Sequence, residues 1–163
     1  MVEKVLHLIF LVEYQIQSKG VAVILMKLNN KIEFIAGSKD KSIFSALPFS
    51  IYDLEVIEFL SELSKSILDI SKTDKSLRVF CYFAFWSRKS NLLRLRKSRN
   101  DLSQRYGRGL AFHIAPSNVV TNILFTFSFG LLSGCPSIIR VSKKNINQFL
   151  KVSLIIDEIL EST

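Results

Sequence analysis

Residues 109–144 read GLAFHIAPSNVVTNILFTFSFGLLSGCPSIIRVSKK, the most apolar stretch of the chain and the one that decides its fold. Its first six residues predict a buried strand, residues 118–132 are long enough for about four helical turns, and SIIRV predicts a second short strand. A further amphipathic helix is predicted at residues 145–160. The order β-α-β-α predicts an α/β fold with parallel strands joined by a right-handed crossover.

The same stretch is too short to cross a membrane. Its uninterrupted apolar run, residues 123–135, has about 13 residues, whereas a spanning helix needs about 20. A helix that is apolar all round is typical of one buried against a sheet. Near the start of the chain, the apolar run at residues 5–12 is closed by Glu13 and lacks a small-residue cleavage site. We therefore predict neither a membrane span nor an export signal.

The number and surroundings of the two cysteines indicate a reducing compartment. Cys81 and Cys135 lie in apolar surroundings, and a lone pair provides neither a disulfide framework nor a zinc-ligand spacing. We predict that both are reduced and buried, that the chain holds no metal, and that the protein is cytoplasmic.

Two regions precede the decisive stretch. Residues 1–50 predict a small β region, broken by turn residues at 18–20 and 29–30, and a connector that ends in LPFS. Residues 51–107 predict a helical segment: one amphipathic helix from Ile51 to Ile70, and a second from Lys75 to Tyr106 with a break near residues 98–101. Residues 108–163 then form the first part of an α/β domain.

Nearly all of the net charge lies in one segment. The formal net charge is +8, and residues 86–108 contribute +7 of it, from eight basic side chains and Asp101. Residues 1–85 are neutral and residues 109–163 add +1. A basic helix with aromatic neighbours can bind a phosphate backbone without sequence preference, so a nucleic-acid-binding module that uses residues 86–108 is one interpretation. A solvated helix face is another.

The turn HIAPSNVVTN leads directly from the first strand into the helix. In a parallel sheet such a strand end faces the crevice where ligands bind. There a side-chain amide of Asn118 would be an uncharged donor suited to an oxyanion hole, and Arg140 at the end of the second strand would suit a phosphate. Simpler roles remain open: Ser117 or Asn118 as a helix cap, Arg140 as a solvated strand end, and His113 as a core residue.

The stretch GRGLAFHIAPSNVVTNILFTFSFGLLSGCPSIIRVSKK resembles the first nucleotide-binding segment of the aldehyde dehydrogenase superfamily. The pattern of that superfamily is a strand, Pro-x-Asn, a long apolar helix, Ala-Gly-Asn and a strand ending in Lys-Pro-Ser-Glu. The chain is similar to acyl-CoA reductases of the fatty-acid reductase type known from bacterial bioluminescence, which carry HI-x-P-x-NVP-TN at this turn. FAFWSRKSNLLRLRK, upstream, is similar to the helix before that domain. The similarity covers roughly residues 75–155.

The resemblance implies that a fatty acyl thioester, carried on CoA or on a protein, is reduced to an aldehyde by NADPH. In that family a cysteine thiolate takes the acyl group and hydride then reduces the acyl-enzyme. Asn118 matches the asparagine whose amide stabilises the developing oxyanion. Arg140 matches the lysine that contacts the adenosine ribose or its 2′-phosphate, and Ser142 matches the small residue two positions later. The turn that runs along the cofactor corresponds to Ile114, Ala115, Pro116 and Ser117.

Several residues depart from the family pattern. Arg140 stands in place of the lysine, although arginine also pairs with phosphate. Lys143 stands where many relatives have the glutamate that binds the ribose, and this exchange favours NADP over NAD. Val120 replaces the proline of NVP. Cys135 replaces a structural asparagine, so the resemblance gives neither Cys135 nor Cys81 the role of nucleophile.

The length of the chain is the largest departure. In the family, the nucleophilic cysteine and the catalytic domain lie beyond the position that matches Thr163. Residues 108–163 therefore resemble a truncated, incomplete NAD(P)-binding domain, and we expect the chain alone to be inactive. We expect the full-length protein to be a homo-oligomer. An open sheet edge would favour association, so a partner-binding protein is a third interpretation.

Overall fold

The computed structural model describes residues 11–14, 20–28, 31–36, 46–99 and 102–161, and five strands in these ranges form one mixed sheet. The order along the sheet is β1-β2-β5-β4, and β3 also pairs with β2. The strands are β1 Leu11–Tyr14, β2 Gly20–Leu28, β3 Lys31–Ala36, β4 Ala111–Ile114 and β5 Ser137–Arg140.

Strand β2 joins the N-terminal β region to the rest of the sheet. It pairs antiparallel with β1 through residues 20–23 and with β3 through residues 24–28. On residues 22–25 it also pairs in parallel with β5. The β region predicted from residues 3–37 therefore shares its hydrogen bonds with the α/β segment. The parts of that prediction before residue 11 and at residues 15–19, 29–30 and 37–45 lie outside the described residues.

The parallel β-α-β unit is present as the sequence predicts. Strands β4 and β5 pair in parallel, with Ala111 opposite Ser137 and Ile114 opposite Arg140. They are connected by α4, Thr121–Leu132, and α5, Ile146–Glu161, follows β5. The chain thus has a mixed α/β architecture with three parallel strands, β2, β5 and β4.

Helix α1, Leu54–Ile70, is the centre of the helical layer. Its start is set by Asp53, whose carboxylate accepts a hydrogen bond from the Glu55 amide at 3.0 Å. The apolar stripe read from the sequence is buried along most of its length, through Ile57, Leu60, Leu63 and Ile67, whereas Leu54 is exposed. The helix packs against α4 and α5, and the Phe59 and Phe127 rings meet edge to face at 5.9 Å.

The helix predicted from Lys75 to Tyr106 ends at Lys97, beside the break predicted near residues 98–101, but its first part is wrong. The segment is divided into a 3-10 helix at Lys75–Phe80, α2 at Cys81–Trp86 and α3 at Lys89–Lys97. The break falls at Ser87, the C-cap residue of α2, whose amide and hydroxyl both donate to the Phe83 carbonyl, at 2.9 and 3.0 Å. The Asn91 side chain then donates to the Trp86 carbonyl at 2.7 Å. As a result α3 and the chain after it carry most of the basic cluster.

Strand β4 forms one edge of the sheet within the described part of the chain. Side chains alternate between the two faces of a strand, and His113 faces α4. On the opposite face Phe112 is 55% exposed and Ile114 is 63% exposed. An apolar edge strand of this kind favours association with another surface.

No helix in the described ranges is long and apolar enough to cross a membrane.

Candidate functional site

The two predicted site segments meet at the carboxyl ends of β4 and β5. Ile114 and Arg140 are register partners. The Ala115 amide then donates to the Arg140 carbonyl at 3.1 Å, which extends the pairing by one residue. The segment that begins at Ile114 and the segment that begins at Arg140 therefore leave the sheet side by side. A ligand at this edge of the sheet would touch both.

The turn between β4 and α4 exposes most of its predicted site residues. Ala115 is buried under the turn, while Pro116, Ser117 and Asn118 are exposed. Within the described residues neither the Ser117 hydroxyl nor the Asn118 amide forms a hydrogen bond to the protein. The Asn118 amide is therefore free to face a ligand.

The start of α4 differs from the sequence-based expectation. The helix begins at Thr121, its N-cap residue is Val120, and no side chain caps it. The interpretation of Ser117 or Asn118 as the cap is therefore wrong. The helix end is held instead by the Thr121 hydroxyl, which donates to the Val79 carbonyl at 2.9 Å. The physical reason is the extra length of the turn, which places residues 117 and 118 before the first helical residue.

The end of β5 is cationic. Arg140, Lys143 and Lys144 are all exposed, and none of them forms an ion pair with a carboxylate in the ranges that the structure describes. Three unpaired positive charges on five consecutive residues make this edge attractive to a phosphate. The charges thus fit the predicted roles of Arg140 and Lys143.

Ser142 and Asn145 present buried polar atoms beside that cationic end. The Ser142 hydroxyl and the Asn145 side-chain nitrogen are buried, and among the described residues neither has a hydrogen-bond partner. Ser142 is a predicted site residue, but its hydroxyl lies inside the protein and not at the open edge. Asn145 was not singled out from the sequence, since nothing in its local pattern distinguishes it from a solvated residue at the start of a helix.

His113 is part of the core between the sheet and α4. Its Nε2 lies 3.3 Å from the Ser137 hydroxyl, which donates to the Cys135 carbonyl at 2.9 Å. A neutral ring with its proton on Nε2 satisfies both groups. Burial lowers the pKa of His113 from its ordinary value of 6.5, so the neutral form is favoured. These contacts agree with the core role considered for His113.

The cysteines are free but less buried than predicted. Cys81 and Cys135 are both partly exposed: Cys81 is the first residue of α2, and Cys135 lies in the turn between α4 and β5. The Cys81 thiol lies 3.4 Å from the Ser71 hydroxyl. Cys135 precedes β5 and so lies at the amino end of the strand, away from Arg140. Among the described residues there is no group of three or more His, Cys, Asp or Glu that could hold a metal ion.

A concave region surrounds Tyr52, away from the ends of β4 and β5, and it was not predicted from the sequence. Tyr52 has a φ of 50°, in the left-handed region that bulky residues rarely adopt. Its amide donates to the Leu132 carbonyl at 2.8 Å, and its carbonyl accepts from Arg96 Nε at 3.1 Å. These two bonds hold the strained conformation, and a pocket opens on each side of the residue. The only sequence signal was the basic cluster, which supplies Arg96.

The fold and the edge site define an α/β protein built on a parallel β-α-β unit with a cationic strand end. Residues 53–160 match the family model described as LuxC, acyl-CoA reductase, and this match spans about two thirds of the chain. The chain therefore belongs to the acyl-CoA reductase (LuxC) family, which confirms the resemblance seen in the sequence. A search of curated proteins found no significant match, and a search of solved structures found none. A reductase of this kind implies a nicotinamide cofactor and an acyl thioester substrate.

Proposed function

We propose that this chain is the N-terminal, cofactor-binding part of an NADP-dependent acyl-CoA reductase with an aldehyde-dehydrogenase-like fold. The observation that carries the proposal is the adjacency of Ile114 and Arg140, which are register partners at the carboxyl edge of the parallel strands. This adjacency, together with the family match over residues 53–160, supports a ligand site that the turn and the cationic strand end form together. We further infer that the protein acts in the cytoplasm.

The cationic end of β5 is the part of the site that distinguishes NADP from NAD. Arg140 and Lys143 are exposed, and neither pairs with a carboxylate in the described ranges. A guanidinium can hold the 2′-phosphate through two parallel hydrogen bonds. The absence of a carboxylate at residue 143 removes a group that would repel that phosphate. In this proposal residues 114–117 lie along the cofactor, and the buried Ser142 hydroxyl is assigned no contact with it.

Asn118 is the residue that acts on the substrate. Its exposed amide would donate a hydrogen bond to the carbonyl oxygen of the acyl thioester and stabilise the negative charge that develops there. The bound NADPH would supply the hydride. The nucleophile is not provided by this segment, since Cys135 lies at the opposite end of β5 and Cys81 contacts Ser71. We therefore propose that residues 1–163 bind and polarise but do not turn over substrate alone.

Hydrogen exchange in the presence of NADPH tests this proposal. We expect saturating NADPH to protect residues 114–144, and NADH to protect them less. In Arg140→Gln the protection by NADPH should fall to the level seen with NADH. Lys97→Gln is the matched control, because it removes an exposed charge from α3, away from the proposed cofactor site. Unchanged exchange at saturating NADPH, with the fold intact, would contradict the proposal.

A further inference from the structure

Of the two pockets beside Tyr52, the one lined by Phe129 lies at the opposite end of α4 from the proposed cofactor site. It is called the Tyr52 pocket below. It has a volume of about 360 Å³. Helix α4 runs from Thr121, near the carboxyl edge, to Leu132, and its 12 residues span about 18 Å. A ligand in this pocket would therefore be separate from one held by Arg140. The lining residues are Ile51, Tyr52, Arg99, Arg105, Phe129, Leu132 and Ser133.

The pocket is built on a rigid backbone junction. Phe49 donates its amide to the Gly134 carbonyl and accepts from the Gly107 amide, both at 2.9 Å. Ile51 adds a bond from its amide to the Arg105 carbonyl at 3.2 Å. Three distant segments of the chain are thus joined by backbone hydrogen bonds, which hold the backbone at Ile51 and Arg105 against the turn at Gly134. A preorganised site of this kind loses little entropy on binding.

Two arginines in the pocket lack anionic partners. The Arg99 guanidinium lies 5.9 Å from the centre of the Tyr52 ring, and Arg105 is exposed. In the part of the chain that the structure describes, no carboxylate forms an ion pair with either of them. They belong to residues 86–108, which carry seven of the eight net positive charges of the chain.

The end of helix α4 does not require these cations. A helix C-terminus attracts positive charge because its last carbonyls lack partners. In α4, however, the carbonyls of Phe129, Gly130, Leu131 and Leu132 all accept hydrogen bonds from backbone amides. The arginines therefore remain available to an external anion.

An aromatic surface adjoins the two arginines. Phe129 lines the pocket and is 53% exposed. Its ring contacts Trp86 at 5.4 Å and Phe125 at 6.0 Å, so it is fixed in orientation by its neighbours. An exposed, immobilised ring beside two guanidinium groups offers a stacking surface for a planar ring that carries phosphate.

We propose that the Tyr52 pocket binds a phosphorylated nucleoside, with the phosphate at Arg99 and Arg105 and the base against Phe129. This site is distinct from the cofactor edge, and only the choice of adenosine as the nucleoside rests on the proposed function. The shared chemistry, an adenosine that carries phosphate, occurs both at one end of CoA and in NADPH. The Tyr52 pocket thus binds the phosphoadenosine group of either CoA or NADPH.

Titration calorimetry of the purified protein with adenosine 3′,5′-bisphosphate tests the proposal, with adenosine and inorganic phosphate as partial ligands. The bisphosphate should bind more tightly than either partial ligand. In the double variant Arg99→Gln, Arg105→Gln its Kd should rise by about tenfold or more. The matched control is Arg94→Gln, Lys97→Gln, which removes the same charge from α3 outside the pocket and should leave the Kd within about twofold. Circular dichroism checks that each variant is folded.

A third variant separates the base from the phosphate. Phe129→Leu should weaken binding of the bisphosphate and leave binding of inorganic phosphate unchanged. Competition with CoA and with NADPH then identifies the source of the phosphoadenosine. If Arg140→Gln weakens binding of the bisphosphate and the Arg99→Gln, Arg105→Gln variant does not, the ligand is held at the cofactor edge, and this proposal fails while the proposed function stands.

Three outcomes would overturn the inference. One is a bisphosphate that binds wild-type protein no more tightly than inorganic phosphate. Another is an equal loss of affinity in the two double variants, which would indicate diffuse surface charge. The third is a single-stranded oligonucleotide that binds more tightly than the bisphosphate and weakens in both double variants, which would indicate a nucleic-acid-binding surface along residues 86–108.

Discussion

Gly107 lies directly against Gly134, so that a Cβ atom placed on Gly107 would come within 1.9 Å of the Gly134 carbonyl oxygen. The close approach brings the chain after the basic cluster onto the turn between α4 and β5. Gly134 itself has a φ of 72°, which glycine adopts without steric cost. The turn that leads into β5 and the pocket beside Tyr52 both depend on this contact.

Substitution of Gly107 by alanine should destabilise the protein. The added methyl group would meet backbone atoms that cannot move without displacing the turn at Gly134. We expect the free energy of unfolding to fall by about 1–3 kcal/mol or more, measured by urea denaturation. Gly109→Ala is the control for strain alone, because a Cβ there meets nothing within 4 Å although φ is 109°. A smaller loss for Gly107→Ala than for Gly109→Ala would contradict the assigned contact.

Substitution of Asn118 by alanine should leave stability unchanged. The side chain is exposed and does not cap α4, whose N-cap is Val120. We therefore expect a change in unfolding free energy within about 0.5 kcal/mol, whereas loss of a helix cap costs about 1 kcal/mol. Thermal unfolding of the two proteins side by side measures the difference. A clear loss of stability would assign Asn118 a structural role and weaken its proposed role on the substrate.

Stability should depend on pH through His113. Burial lowers the pKa of His113 below 6.5 in the folded protein, so the unfolded chain takes up the proton first as the pH falls. The contribution of neutral His113 to the free energy of unfolding is therefore fully present above the pKa of the unfolded chain, and it is lost as the pH falls below that value towards the folded pKa. The free energy of unfolding of wild-type protein should decrease between about pH 8 and pH 5 more than that of His113→Gln. Equal slopes for the two proteins would show that His113 does not carry the effect.

A second pH-dependent contact links α5 to the 3-10 helix at residues 75–80. The Asp74 carboxylate accepts hydrogen bonds from Lys151 and from the Ser76 hydroxyl and amide. These bonds, with that from Lys151 the largest, lower the pKa of Asp74 to about 2. Because the folded pKa is depressed, the stabilisation is present above the ordinary value of 3.8 and is lost as the pH falls towards 2.

Asp74→Asn tests that link. We expect the Tm difference between wild type and Asp74→Asn to be largest above about pH 4 and to vanish near pH 2. Asp69→Asn is the matched control, since among the described residues Asp69 pairs only with the neighbouring Lys72 on the surface. A pH-independent difference for Asp74→Asn would indicate that the carboxylate charge is not what stabilises the contact.

Local patterns predicted the elements whose contacts are close in sequence. The apolar period placed α1 within three residues of its observed start, and the order β4, α4, β5, α5 was confirmed because each element carries its own periodicity. The long helix through residues 75–106 failed because its apolar stripe continues across Ser87. There the Ser87 hydroxyl donates to the Phe83 carbonyl and the Asn91 side chain donates to the Trp86 carbonyl, and the apolar period does not record such side-chain bonds at the end of α2.

The two candidate sites also differ in how far the sequence predicted them. Residues 114–118 and 140–143 belong to short motifs next to strand ends, so their proximity at one sheet edge follows from parallel pairing. The pocket beside Tyr52 combines residues 51–52, 99–105 and 129–133. None of these segments carries a recognisable motif, so the sequence predicted a basic cluster but neither its partners nor a cavity.

The amino-acid sequence by itself determined the family, the parallel β-α-β unit and the cationic end of β5, because each of these depends on residues near one another in the chain. Only the tertiary structure decided that β2 pairs with β5, that Asn118 is exposed and does not cap α4, and that Phe49 joins Gly107 to Gly134 by hydrogen bonds. These features arise from backbone hydrogen bonds and close packing between distant segments. Such contacts are selected by the geometry of the whole fold and not by any local pattern.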